Sequence, residues 1–234
     1  MDSGIVHRNV HDALLPKLLI APVMVLSVSY LQRRFGDRFG GWLIGLPITT
    51  GPFILIIGIQ EGVSFAGHTT RGILLGQIAL ITYCWAYAYV APRTTWIKAI
   101  AVATLTCLLT GYLVTAWKTP FWLSTLFLIA TWWIAIKKWP RSGLSEIKID
   151  TPKWELPVRI FVTLTLLIVL SALAPHIGAK FAGALSTYPV IISVLGVFNH
   201  RRFGPGVTVA TLRGLMQTLP ITVGIIFTLG LVLR

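Results

Sequence analysis

Residues 36–72 read GDRFGGWLIGLPITTGPFILIIGIQEGVSFAGHTTRG, and residues 178–214 read GAKFAGALSTYPVIISVLGVFNHRRFGPGVTVATLRG. The two segments align without a gap at a constant offset of 142. Gly36/Gly178, Phe39/Phe181, Gly41/Gly183, Leu43/Leu185, Pro47/Pro189, Gly62/Gly204, Thr69/Thr211, Arg71/Arg213 and Gly72/Gly214 are identical. Arg38 aligns with Lys180, and Lys17 with Arg159. In an apolar chain, matched leucines carry little information. Matched Pro, Gly and Arg carry more, because each has a backbone or charge role that few residues can fill. A duplication inside a membrane chain is the sequence sign of a two-fold-related, transporter-type architecture.

The surrounding sequence reads as membrane protein. Hydrophobic residues make up 55% and charged residues 12%, with a mean hydropathy of +0.79. A soluble domain carries about 25% charged residues. Eight apolar stretches recur, near 12–31, 42–60, 72–91, 96–116, 121–136, 157–174, 184–199 and 214–233. Each approaches the roughly 20 residues that a spanning helix needs. The reading is an all-α integral membrane protein, a single polytopic domain over 1–234 with about eight transmembrane helices. Its repeats cover about 15–91 and 157–233, joined by a helical hairpin at about 96–136 and a polar loop at 137–156. The N-terminus lacks a basic start followed by a short apolar core, so no cleaved signal peptide is expected.

The formal net charge is +13, but the Lys and Arg residues fall in loops and at span ends. That excludes a nucleic-acid face and points to topology instead. The links after spans 1, 3, 5 and 7 hold fourteen of the twenty Lys and Arg, and the other side holds six. The richer side is expected in the cytoplasm, with both termini outside, in a bacterial inner membrane. Span 6 follows span 1 by five crossings, so the second unit is inverted relative to the first.

Within the repeat, Gly45-Leu-Pro-Ile-Thr-Thr-Gly-Pro52 breaks helix 2. Pro47 and Pro52 each lack an N–H and collide with the preceding turn. Thr187-Tyr-Pro-Val-Ile-Ile-Ser193 breaks helix 7 at the matched Pro189. Paired discontinuous helices mark a transporter's central site, where half-helix N-termini suit anions. Pro47, Thr49, Thr50, Gly51, Thr187, Tyr188, Pro189 and Ser193 are therefore candidate substrate contacts. Arg71 and Arg213, each expected to open the third helix of its unit, could clamp a carboxylate or phosphate. Gln77 and Gln217 are intramembrane polar groups that either bridge helices or touch substrate. Glu61 exists only in the first copy and is the candidate coupling or gating residue.

Other residues read more plainly. Cys84 and Cys107 are expected to pack within spans. The five histidines, His68, His176 and His200 among them, show no metal-ligand spacing and read as interfacial. Trp42, Trp139 and Trp154 fall near predicted span ends as interfacial anchors. No metal, cofactor or catalytic constellation is expected. The partners are the lipid bilayer and a small anionic or lipid-linked substrate, with a homodimer as the candidate assembly. Three functions follow: a small secondary transporter of a polar, anionic substrate working by alternating access; a flippase for an anionic lipid carrier; and a non-transporting accessory subunit of a membrane complex.

Overall fold

A computed structural model describes residues 23, 25–27, 29–31, 34–35, 37–46, 63–116, 120–140, 154–173 and 188–232. Pro47, Thr49, Thr50, Gly51, Pro52, Glu61 and Thr187 lie outside them. The described residues are helical, with no strand among them. In chain order the helices are α1 (Asp37–Gly45), α2 (Val63–Val90), α3 (Trp96–Ala116), α4 (Phe121–Lys137), α5 (Glu155–Leu173), α6 (Val190–Phe203) and α7 (Pro205–Val232). A short 3-10 turn, Ala91–Arg93, follows α2. Among the described residues, three stretches are long and apolar enough to cross a membrane: Thr70–Arg93, Trp96–Val114 and Pro205–Val232. The chain fits an integral membrane protein.

Two helices form the centre. α2 and α7 are both 28 residues long, and their first and last residues lie 142 apart. At about 1.5 Å per residue each is about 42 Å long, more than a bilayer's hydrocarbon core of about 30 Å. They run antiparallel: Gly230, near the end of α7, meets Thr70, near the start of α2. At the other end Tyr87 reaches α6 just before α7 begins. α3 and α4 cover α2, and α1 and α6 flank α7. Leu74, Ile78, Ile81, Leu212, Leu215, Leu219 and Ile226 fill the core between them.

The contacts separate two ends of the bundle. Arg93, Lys98, Lys137, Lys138, Arg201 and Arg202 gather at one, because α2, α4 and α6 finish there and α3 starts there. This is the basic end. Arg71 lies toward the opposite end.

Several boundaries differ from the sequence reading. α2 and α7 start nine residues before the expected 72 and 214. Val63–Thr70 is too polar to raise hydropathy but holds no proline to stop a helix. For α7 a start signal was present: Gly204 takes φ +88 as the cap of α6, and Pro205 fills the first helical position, where its missing N–H costs nothing. The seventh span begins at 190 rather than 184 and runs on to 203. Fourteen residues give about 21 Å, too short to cross. The first half of span 2 starts at Asp37 rather than 42 and stops at Gly45, before Pro47.

Candidate functional site

α1 packs on α7 through glycine. A Cβ on Gly41 would fall 1.8 Å from the Thr211 carbonyl oxygen, and one on Gly214 would fall 2.1 Å from the Arg38 carbonyl. No side chain fits at either place. The two helices run parallel, and α7 caps the last carbonyls of α1, which lack intrahelical donors where the helix stops. The Thr218 hydroxyl donates to the Trp42 carbonyl at 3.1 Å, and the Thr222 hydroxyl donates to the Gly45 carbonyl. Trp42 Nε1 donates to Gln217 Oε1 at 3.0 Å. Gln217 therefore bridges helices and ties the exposed Trp42 to α7. Gln77 Oε1 is buried without a hydrogen-bond partner.

α6 starts inside the bundle. Pro189 has φ −82 and ψ 74, and the Val190 N–H donates to the Tyr188 carbonyl at 2.9 Å. That is an inverse γ-turn, which bends the chain sharply into the helix. The Tyr188 and Thr104 hydroxyls lie 3.1 Å apart, tying this start to α3. The Tyr188 ring meets the Tyr83 ring edge-on at 6.0 Å. Tyr83 is fully buried, and its hydroxyl has no hydrogen-bond partner among the described residues. Ser193 is buried and donates to the Val190 carbonyl, so its hydroxyl is spent inside its own helix.

Arg71 and Arg213 are half-buried, but neither opens a helix. Each sits eight residues inside, about 12 Å from the helix start. Because α2 and α7 are antiparallel, the two lie toward opposite ends and form no common clamp. Their following glycines are inequivalent. Gly214 is buried against Arg38, whereas Gly72 is exposed, and a Cβ there would meet nothing within 4 Å.

The densest polar cluster was not anticipated as a site. Glu155 opens α5 at 1% exposure. Its Oε1 accepts from Arg159 Nη2, and its Oε2 accepts from Arg202 Nη1 at 2.8 Å. Arg159, 2% exposed, also donates to Asn199 Oδ1 at 3.1 Å and lies over the Phe198 ring. Asn199 Nδ2 donates to Thr211 Oγ1 at 3.4 Å. Beside it, His200 Nδ1 and the Tyr87 hydroxyl are 3.3 Å apart. His200 is buried, and burial pushes its imidazole below the usual histidine range. Glu155 and Arg159 were assigned to a loop and a span end. Their signal in the sequence was the i, i+4 spacing of acid and base at a helix start. No known protein family, curated protein or solved structure matches the chain.

One further feature faces outward. An apolar cleft of about 610 Å³ opens between α4 and α7, walled by Trp122, Ile129, Trp132, Leu219, Val223 and Phe227. Pro220 and Gly224 form part of its lining. Cys84 and Cys107 are buried, and Trp85 stacks on Tyr89. Trp139 is buried, against the expectation of an interfacial anchor. Among the described residues no three His, Cys, Asp or Glu side chains converge on one point.

Proposed function

We propose that the chain is a small secondary membrane transporter. It carries a polar, anionic substrate by alternating access between two inverted repeats. One observation carries the reading: matched glycines of the two copies are packed in unlike ways. Gly214 is closed against Arg38, while Gly72 stands in open space. Two copies of one sequence in two conformations are what such a carrier needs. Exchanging the conformations closes the open end and opens the closed one.

Other features support it. The antiparallel, equal-length α2 and α7 suit repeats related by an axis in the membrane plane. The interior start of α6 and the stop of α1 suit a discontinuous helix in each unit, with Pro47 and Pro189 at the breaks. Arg71 and Arg213, at opposite ends, supply one anion-attracting group per mouth. With the basic end in the cytoplasm, both termini lie outside. Labelling of single cysteines in the 141–153 loop from outside would overturn that orientation.

The test is flux. Reconstituted in liposomes, the wild type is expected to move at least one of a panel of radiolabelled carboxylates and phosphates. Arg71→Ala/Arg213→Ala is expected to lose most of that flux. If the double variant moves every substrate as the wild type does, the anion reading is wrong. Gly72→Leu is expected to fold, since its side chain enters open space, but to stop flux by blocking closure.

A second reading, flipping of an anionic lipid carrier, has the cleft between α4 and α7 in its favour. A sideways apolar opening suits a hydrocarbon chain. A Cβ on Gly224 meets nothing within 4 Å, so Gly224→Leu fills the cleft without a clash. Loss of labelled-lipid flipping with intact soluble-anion flux would select this reading, and the reverse would reject it.

A further inference from the structure

α5 joins the described bundle chiefly through α6. The contact is ionic where it is deepest. Glu155 has both carboxylate oxygens committed, one to Arg159 on its own helix and one to Arg202 across the gap. The Arg202 side chain is 33% exposed, so solvent reaches this pair from the basic end, whereas Glu155 and Arg159 are sealed. Behind them stand Asn199 and Thr211, joined to Arg159 by hydrogen bonds. The arrangement is a pair of guanidinium groups with a carboxylate between them, at the basic end of the bundle.

The geometry points to Glu155 as an internal anion: it holds the guanidinium groups of Arg159 and Arg202 that an external carboxylate or phosphate would otherwise take. Arginine forks bind carboxylate and phosphate oxygens in the same geometry, so the two compete for one place. Arg202 is the first contact from solvent and Arg159 the second. Displacement replaces the Glu155–Arg202 bond across the two helices with one through the bound anion, while Arg159 keeps its hydrogen bond to Asn199. The role of the displacing anion as substrate rests on the transport reading; the displacement itself does not.

The sign of the expected effect is unusual. Removing a negative charge usually helps any anion slightly, through the general field. Here it should vacate the site itself. Full-length protein in detergent, with inorganic phosphate as the probe in equilibrium dialysis, gives the measurement. Glu155→Gln is expected to tighten phosphate binding about tenfold, within the usual range of coupling between competing ligands. Arg202→Gln is expected to weaken it by a similar factor, and sulfate is expected to follow phosphate. A short-chain phosphatidic acid, run in parallel, separates the two sources of phosphate. Tightening for phosphate alone assigns a free anion, and tightening for the lipid alone assigns a headgroup. Tightening for neither overturns the proposal, as does absence of binding by all three proteins. If Glu155→Gln does not fold, wild type against Arg202→Gln decides: unchanged phosphate affinity overturns it. Tightened binding without liposome flux sinks the transport reading and leaves the displacement standing. Flux with unchanged binding does the reverse.

Discussion

Trp132 does at one atom what a membrane helix cannot do for itself. Pro220 has no N–H, so the Met216 carbonyl four residues back loses its helical donor. No water reaches it in hydrocarbon. Trp132 Nε1 donates to that carbonyl at 2.7 Å. Trp132→Phe keeps the ring's bulk and removes the donor. It is expected to cost about 1 kcal/mol, measured as a lower unfolding midpoint in detergent. The glycines give a sharper contrast. Gly41→Ala puts a methyl into the Thr211 carbonyl and should cost about 1–3 kcal/mol through forced separation of α1 and α7, while Gly72→Ala should be near neutral. His200 supplies the pH dependence. Burial lowers its folded-state value, so the unfolded chain takes up the proton first. Stability is full above the unfolded value of about 6.5 and falls as pH drops below it. The Tyr87 hydroxyl is its hydrogen-bond neighbour, and loss of water around the ring is what penalises the cation. His200→Gln should flatten the slope of unfolding midpoint against pH below 6.5.

At the scale of elements, proline and glycine were the readable part of the sequence. Pro189 marks the start of α6, and α1 stops just before Pro47, because a missing N–H acts on the backbone wherever it sits. α3 and α4 matched their apolar runs to within a residue, since nothing but hydropathy decides them. The start of α2 was misread because a helix can extend beyond its apolar run on polar residues, whereas at α7 the Gly204-Pro205 start signal was passed over. The Glu155 cluster was missed for another reason. Its members come from α5, α6 and α7, and only folding brings Arg159 to Asn199 and Glu155 to Arg202. Of the residues anticipated as substrate contacts, Tyr188 and Pro189 sit at an interior helix start, Ser193 donates within α6, and Gln217 accepts from Trp42. The paired role of Thr218 and Thr222 as caps for α1 was legible only as an i, i+4 repeat of threonine. Thr218→Val/Thr222→Val is expected to loosen α1, seen as faster amide exchange at Trp42 to Gly45 while α2 stays protected.

Across the whole molecule, charge and packing divide along the same line. The basic end carries the α1–α7 glycine contact, the Glu155 bridge and the tyrosine–histidine pair. The opposite end carries an exposed Gly72 and Arg71. A bundle so divided should resist access from one side. Single cysteines placed at Gly72 and at Gly214 are therefore expected to react unequally with a membrane-impermeant maleimide, the first fast and the second slow. Equal rates would remove the asymmetry between the two ends that alternating access requires.

The link between α6 and α7 is a single residue, Gly204, set between Phe203 and Pro205 and held at φ +88 with its N–H on the His200 carbonyl. Such a joint has no slack. The ring of Pro205 fixes its own φ, and only glycine accepts the φ before it. Helices hinged this tightly cannot slide past each other by a turn; they can only tilt together, like the two arms of a bent rod. A push at the inner tip of α6, at Pro189, is therefore expected to tilt α7 with it, and a longer linker at Gly204 is expected to uncouple the two helices.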